Sequence, residues 1–83
     1  MYHLYILKCA DKTLYTGITV DLKRRIKEHN HSKIGAKYTK SRRPVKLVYS
    51  KRFRTRSTAS KEEHRVKQLT REEKLALTST RRV

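Results

Sequence analysis

The sequence predicts a small α+β fold whose elements follow the order β-β-α-β-α-α. Two short runs rich in aromatic and branched residues lie near the N-terminus, with polar turn residues between them. A third run, near the middle of the chain, alternates apolar and polar side chains. Apolar residues at helical spacing follow the second and the third run. The 83 residues suffice for one domain, which is expected to span residues 1–83.

The first two strands are predicted to form a hairpin. Residues 2–7 read Tyr-His-Leu-Tyr-Ile-Leu, and residues 14–19 form the second run. Between them, residues 10–13 read Ala-Asp-Lys-Thr, a composition typical of turns. Because this turn has no glycine, its type is left open.

The first helix is predicted to begin after Asp21, whose carboxylate can accept a backbone N–H of the first turn. Leu22 and Ile26 lie four residues apart and give this helix an apolar face. Asn30, which tolerates a left-handed conformation, is the predicted helix stop. Residues 31–44 are polar and basic and predict a loop.

The third strand is predicted over residues 45–50, where the side chains alternate. One face would carry Val45, Leu47 and Tyr49, and the other Lys46 and Val48.

The second helix is predicted to be capped by Ser57 or Thr58, either of which can bond a backbone N–H of the first turn. Its buried stripe would consist of Ala59, Val66 and Leu69.

A last, short helix is predicted over residues 71–77. Thr70 and Glu73 have the spacing of a capping box, in which each side chain bonds the backbone of the other residue. Leu75 is expected to face the core, and residues 78–83 are expected to form a frayed basic tail.

Charge is the strongest functional signal. The chain has 23 Lys and Arg against 7 Asp and Glu, a formal net charge of +16. A compact chain of this charge repels itself, and a polyanion relieves the repulsion while releasing counterions. The excess is far larger than solubility needs. The predicted partner is therefore DNA, with RNA as an alternative. A membrane is not expected, because there is no long apolar run or basic amphipathic helix.

Cysteine and histidine usage limits the other possibilities. Cys9 is the one cysteine, so no intramolecular disulfide can form, and the N-terminus lacks the features of a signal peptide. These observations predict a cytoplasmic protein. No pair among His3, Cys9, His29 and His31 has zinc-finger spacing, so structural zinc is not expected.

Two pairs of residues could carry chemistry. Tyr5 and Tyr15 would lie close together in the hairpin, although their spacing alone favours ordinary core packing. Arg25 and His29 lie four apart on one helix face, where both could bond a phosphate oxygen. Their basic neighbours make a solvated helix surface a strong alternative.

Glu62 and Glu63 are the only carboxylates between Glu28 and Glu72. A phosphodiesterase that uses Mg²⁺ needs at least one carboxylate to hold the ion against the phosphate. Helical geometry does not choose between the two. Both could instead be surface acids that balance nearby cations.

Together these features resemble the GIY-YIG nuclease family. Residues 3–5, His-Leu-Tyr, resemble the first motif of the family, with His in place of Gly. Residues 15–17, Tyr-Thr-Gly, resemble the second motif, with Thr in place of Ile. The likeness is greatest to the small single-domain bacterial group, which also has counterparts of residues 35–39, 43–45 and 67–71.

The resemblance also assigns residues on the helices. Residues 22–26 are similar to the helix that carries the arginine of the family, here Arg25. Residues 59–63 are similar to its Ala-x-x-x-Glu pattern, which selects Glu63 as the metal ligand. Many members have an Asn after this helix, whereas no Asn follows residue 30 here.

The resemblance implies a small three-stranded antiparallel sheet flanked by helices, and a metal-dependent DNA endonuclease of weak sequence specificity in repair or recombination. One Mg²⁺ or Mn²⁺ ion would be held by Glu63, while Arg25 would stabilise transition-state charge. Tyr5 or Tyr15 would aim and deprotonate water, and His29 would orient that tyrosine or transfer a proton. The DNA backbone would be held by a wider basic face. That face comprises Lys23, Arg24, Lys37, Tyr38, Arg42 and Arg43.

Two other functions fit the same residues. The chain could be a non-catalytic nucleic-acid-binding module that keeps the nuclease fold, or an adaptor that docks on a partner nuclease. A monomer is the expected state.

Overall fold

The computed structural model describes residues 1–31 and 42–80. The elements are β1 (Tyr2–Lys8), β2 (Leu14–Thr19), α1 (Leu22–His31), β3 (Lys46–Phe53), α2 (Arg56–Lys67) and α3 (Arg71–Thr80). The strands form one antiparallel sheet in the order β2-β1-β3, so β1 is central. The predicted α+β class and element order are confirmed for this part of the chain.

The β1–β2 turn contains a residue in the left-handed conformation. The carbonyl of Cys9 accepts from the N–H of Lys12 at 2.9 Å, and the N–H of Cys9 donates to the carbonyl of Thr13 at 2.9 Å. Lys12 has a φ of 68°, a conformation that costs a non-glycine residue about 1–2 kcal/mol. The Asp11 carboxylate accepts from the N–H and the hydroxyl of Thr13, which helps to hold the turn. The loop is thus a three-residue hairpin with Lys12 in the place that glycine usually takes.

The sheet has an apolar layer on each face. One layer is built around Leu4, Ile6, Tyr49 and Val66, and the other around Tyr5, Leu7, Cys9 and Val45. Helix α2 contributes Val66 to the first layer, whereas α1 packs Leu22 and Ile26 against the second. The central strand therefore supplies alternate side chains to both layers, as the strand period requires.

The predicted alternation of the third strand is wrong at Tyr49. The β1–β3 register shifts between Ile6, which pairs with Tyr49, and Leu7, which pairs with Leu47. Val48 is the extra residue of this β-bulge, so Tyr49 turns to the layer opposite Val45 and Leu47. A period of two assumes an unbroken ladder, and the bulge breaks it. The strand also continues to Phe53, beyond the predicted end at residue 50.

Helix α1 begins as predicted and ends differently. The Asp21 carboxylate accepts the backbone N–H of Arg24 at 3.1 Å, as expected of an N-cap. Asn30 is not a left-handed helix stop, because the helix continues to His31. The Asn30 side chain instead bonds the backbone of Val45, accepting from its N–H at 2.7 Å and donating to its carbonyl at 3.1 Å. Residues 32–41, most of the predicted loop, lie outside the described residues.

Helix α2 begins earlier than predicted. Its N-cap is Thr55, whose hydroxyl accepts the backbone N–H of Thr58 at 3.2 Å, and not Ser57 or Thr58 itself. Thr55 is extended, with φ −122° and ψ 154°, the conformation an N-cap needs. The predicted stripe is confirmed, since Ala59 and Val66 are fully buried and Leu69 packs on the first layer.

Helix α3 has the predicted capping box. The N–H of Glu73 donates to the Thr70 hydroxyl at 3.2 Å, and the Glu73 carboxylate accepts the N–H of Thr70 at 2.9 Å. The helix continues to Thr80, so residues 78–80 are helical and not frayed. Leu75 is 38% exposed, whereas Leu77 packs on the first layer, so the prediction for Leu75 is wrong. The core-facing side of this helix is rotated from the predicted one.

Within the described residues, no helix has both the length and the apolar character needed to cross a membrane.

Replacing Asn30 with Ala should lower the free energy of unfolding by about 1–3 kcal/mol, because the N–H and carbonyl of Val45 both lose a partner. Urea denaturation measures the change. Lys27→Ala, at an exposed position of the same helix, is the control and should change stability by less than about 0.5 kcal/mol. An equal effect of the two substitutions would show that the side-chain bonds of Asn30 do not hold α1 to β3.

Candidate active site

Three aromatic rings meet where β1, β2 and α1 converge. Tyr5 pairs with Gly17 across the strands and Tyr15 pairs with Leu7, so the two tyrosines are diagonal neighbours. Their ring centroids lie 6.4 Å apart. The His29 ring stands edge-on to both, 5.8 Å from Tyr5 and 5.2 Å from Tyr15. The structure therefore brings together three residues of the predicted site.

Gly17 leaves the space that the Tyr5 side chain fills. A Cβ added at Gly17 would lie 2.6 Å from the Tyr5 hydroxyl and 2.8 Å from its Cζ, distances that real Cβ atoms essentially never show. Tyr5 is only 1% exposed, so its ring has little room to move away. The glycine of the second motif is thus explained by a close approach of a side chain, and not by backbone conformation.

His29 is a buried acceptor. It has no exposed surface, and its Nε2 lies 3.0 Å from the Tyr5 hydroxyl. Burial, assisted by the nearby charge of Arg25, lowers the pKa of His29 from 6.5 to about 4. The ring is therefore neutral at physiological pH and can accept the hydroxyl proton of Tyr5 in a hydrogen bond.

The Tyr5 hydroxyl also contacts Arg25. Burial raises the pKa of Tyr5 to about 12; a hydrogen bond from Arg25 opposes this, while Tyr15 and the Glu63 carboxylate raise the pKa further. Arginine can only donate, so its bond leaves the Tyr5 proton directed to His29. Tyr5 therefore keeps its proton at neutral pH and links the arginine to the histidine.

Glu28 is a residue that the sequence analysis missed. Its Oε1 lies 2.9 Å from Nη1 of Arg25, and its Oε2 lies 3.1 Å from Nε of Arg24. Those two arginines lower the pKa of Glu28, chiefly through the Arg25 hydrogen bond. The signal was present in the sequence, because positions three and four apart face each other on a helix. Glu28 thus fixes the direction of Arg25 toward Tyr5.

The two carboxylates of α2 differ in their partners. Glu62 is held at both oxygens by Arg65, with two contacts of 2.7 Å. Glu63 has one cation on one oxygen, the ammonium of Lys67 at 3.2 Å. Its negative charge makes a small contribution to the raised pKa of Tyr5. The contacts therefore favour Glu63 as the carboxylate available to the site.

The candidate metal ligand in this region is a single carboxylate, that of Glu63. Within residues 1–31 and 42–80, no three His, Cys, Asp or Glu side chains cluster closely enough to hold an ion by themselves. A single carboxylate suits Mg²⁺, which keeps several waters and commonly takes one or two protein carboxylates beside phosphate oxygens. Glu63 is 23% exposed, so such an ion could keep its water. A single carboxylate fits the predicted ion, whose remaining ligands would be water and substrate oxygens.

The predicted basic face divides into exposed and structural cations. Lys23 is exposed, as is Arg24 at 73% of its side chain. Arg42 pairs with Asp11 of the hairpin turn at 2.9 Å. Arg43 donates to the carbonyls of Glu28 and His29 in the last turn of α1. Lys37 and Tyr38 lie outside the described residues. The part taken by this face in DNA binding stays a prediction.

The resonances of His29 should remain those of a neutral imidazole until the pH falls below about 5, because its folded pKa lies near 4. NMR titration measures this, and a His29→Gln variant assigns the signal. The unfolded chain binds the extra proton near pH 6.5, so this group stabilises the fold above that pH. The stabilisation is lost as the pH falls from 6.5 toward 4. Titration of the assigned signal near pH 6.5 in the folded chain would contradict the neutral-acceptor role.

Comparison with known proteins gives the same family for most of the chain. A family model described as the GIY-YIG catalytic domain matches residues 1–76. A UPF0213 protein of Syntrophus aciditrophicus is 55% identical over 75 residues, covering 90% of this chain and 86% of that one. A UPF0213 protein of Clostridium perfringens is 49% identical over 83 residues, covering 100% and 88%. One from Halobacterium salinarum is 48% identical over 77 residues, covering 93% and 99%.

Two solution NMR structures share the fold. The UPF0213 protein from Bacillus halodurans has a TM-score of 0.63 and 44% identity, covering 98% of this chain and 86% of that one. A protein from E. faecalis has a TM-score of 0.66 and 42% identity, covering 95% and 83%. The sheet with its flanking helices is thus shared with relatives whose structures were determined by experiment.

Proposed function

Since the chain belongs to the GIY-YIG catalytic-domain family, in its small UPF0213 group, we propose that it is a metal-dependent DNA endonuclease that hydrolyses phosphodiester bonds. The observation that carries the proposal is the Tyr5 hydroxyl, which is bonded to both His29 and Arg25 and lies within the electrostatic reach of Glu63. A tyrosine that only fills a core needs one hydrogen-bond partner for its hydroxyl. The Tyr5 hydroxyl has two, His29 and Arg25, and the guanidinium of Arg25 is suited to binding phosphate.

Arg25 would stabilise the negative charge that develops on the phosphate in the transition state. Its side chain is 27% exposed, so one edge of the guanidinium reaches solvent while Glu28 and Tyr5 hold the rest. A guanidinium fixed in advance needs no reorientation when the substrate arrives.

Tyr5 would aim the attacking water. With a pKa of about 12 it keeps its proton at neutral pH, so it does not take the proton of the water itself. Its proton stays directed to Nε2 of His29, 3.0 Å away, which leaves a lone pair of the Tyr5 oxygen for the water, and the water would lose its own proton to solvent. Tyr15 packs against both rings and keeps the imidazole in place, or contacts the water itself.

Glu63 would hold one Mg²⁺ or Mn²⁺ ion. The ammonium of Lys67 contacts one oxygen of this carboxylate, at 3.2 Å, so binding of the ion would require Lys67 to share or leave that oxygen. When bound, the ion would polarise the scissile phosphate and offset charge on the leaving oxygen.

Lys23 and Arg24 would hold the DNA backbone from the exposed side of α1. Contacts to phosphate position a duplex without reading its bases, which supports weak sequence specificity. A nuclease that selects the shape of DNA over its sequence suits repair or recombination, and we include that role in the proposal.

Replacing Glu63 with Gln should reduce nicking of supercoiled plasmid in Mg²⁺ or Mn²⁺ by at least about 10²-fold, because a neutral amide holds a divalent ion poorly. Glu62→Gln is the matched control, since it removes the neighbouring carboxylate, which Arg65 holds, and should cut as the native chain does. Arg25→Ala should lose about 10²–10³-fold. Native rates in both the Glu63 and Arg25 variants, or a loss confined to Glu62→Gln, would show that the site is misassigned.

The second candidate function is a nucleic-acid-binding module without catalysis. The Glu63–Lys67 ion pair favours it, because the carboxylate already has a cationic partner. Addition of Mg²⁺ separates the two functions: catalysis requires NMR shifts centred on Glu63, whereas a pure binding module shows none there.

A further inference from the structure

We propose that the chain has a second nucleic-acid site, which takes one unstacked base and its phosphate at the end of the sheet away from the tyrosine cluster. This site, here called the strand-end site, is the cavity where β1 begins, β2 ends and α2 begins. It is lined by Tyr2, Ile18, Thr19, Val20 and Arg56.

The cavity offers apolar walls to solvent. It has a volume of about 210 Å³ and is open. Tyr2 is half-buried, and Val20 is 66% exposed, so the apolar surface of both side chains is accessible. An aromatic ring beside a branched aliphatic side chain suits the flat face of a nucleobase, which stacks on such surfaces irrespective of its sequence.

Arg56 lines this cavity, and no carboxylate contacts it among the described residues. No acidic residue occurs from residue 29 to residue 61. By contrast, Arg24 and Arg25 of α1 pair with Glu28, and Arg42 pairs with Asp11 of the hairpin turn. The charge of Arg56 therefore lies next to apolar surface without a described carboxylate to compensate it.

Charge and shape together select the occupant. Arg56 favours an anionic group, and Tyr2 and Val20 favour a flat apolar one. A nucleotide in a single-stranded or frayed segment supplies both, since its base is exposed and its phosphate is attached to the same unit. In a duplex the bases are stacked and only phosphates remain accessible, which would leave the apolar walls without a partner.

Helix α2 links the strand-end site to the proposed metal ligand. Arg56 precedes Glu63 by seven residues, about 10 Å along one face of the helix. Tyr2 and Tyr5 are three residues apart on β1 and point to opposite faces of the sheet, so a strand that occupies both sites would pass the edge of the sheet. If the proposed function holds, on which this consequence rests, the preferred substrate has an unpaired nucleotide near the scissile phosphate.

A second cavity provides the control. It has a volume of about 220 Å³ and is lined by Thr13, Leu14, Arg71 and Lys74, without an aromatic ring. Arg71 is the first residue of α3, as Arg56 is of α2, and both are exposed. Arg56→Ala and Arg71→Ala therefore remove the same charge from equivalent helix positions.

The experiment measures binding of a fluorescent eight-nucleotide oligo(dT), and of the same oligomer with abasic sites, by anisotropy in EDTA. Without metal no cleavage occurs, so the result is independent of whether the chain is a nuclease. The native chain should bind oligo(dT) on the order of tenfold more tightly than the abasic oligomer. Tyr2→Phe should keep this preference and Tyr2→Leu should lose it, because only the former retains the ring.

Salt dependence tests the phosphate contact. Arg56→Ala should reduce the slope of log affinity against log salt by about 0.7, the value for one phosphate contact on a single strand, while Arg71→Ala leaves it unchanged. Equal binding of the two oligomers by the native chain, retention of the preference in Tyr2→Leu, or equal slope changes in the two arginine variants would each overturn the strand-end site. If the native chain binds the two oligomers as expected but does not nick plasmid DNA in Mg²⁺ or Mn²⁺, the proposed function is overturned and the strand-end site stands.

Discussion

Tyr5 stands on the central strand with its hydroxyl 3.0 Å from the Nε2 of His29, and the rest of the candidate site is arranged around that bond. The bond exists because Gly17, across the strand pair, has no side chain where the hydroxyl lies. It is polarised because Arg25 donates to the same oxygen and Glu28 holds Arg25 in place. Residues of three elements, β1, β2 and α1, thus meet at one oxygen atom. A change in any of these residues alters how the Tyr5 hydroxyl is held.

The site is also an electrostatic arrangement inside a chain of net charge +16. Three of its seven acids pair with arginines. Glu28 orients two arginines, Asp11 ties the hairpin turn to Arg42, and Glu62 is held by Arg65. The burial that keeps His29 neutral also prevents one more positive charge beside Arg25. What remains uncompensated is the cationic surface, which favours an anionic partner, and the proposed nucleic acid would contact both proposed sites.

Local signals in the sequence were sufficient for much of the fold. The Thr70–Glu73 capping box depends only on residues three apart, and it formed as predicted. The bulge at Val48 could not be found in this way, because it arises from pairing with β1 and not from the strand itself. In the site, spacing placed the tyrosines on neighbouring strands, whereas the contact of Gly17 with Tyr5 needs the register of the strands. The preference for Glu63 over Glu62 came from the family resemblance. A helical wheel does not show that Arg65 holds Glu62 and that Lys67 contacts Glu63.

Tyr5→Phe tests the central claim most directly, because it removes the hydroxyl and keeps the ring in the core. If the hydroxyl serves the reaction, single-turnover cleavage of plasmid DNA in Mg²⁺ should slow by at least about 10²-fold, the scale of a lost positioning contact. The unfolding transition should stay cooperative. If Tyr5 only fills the core, the variant should cut at the native rate, and that result would contradict the account.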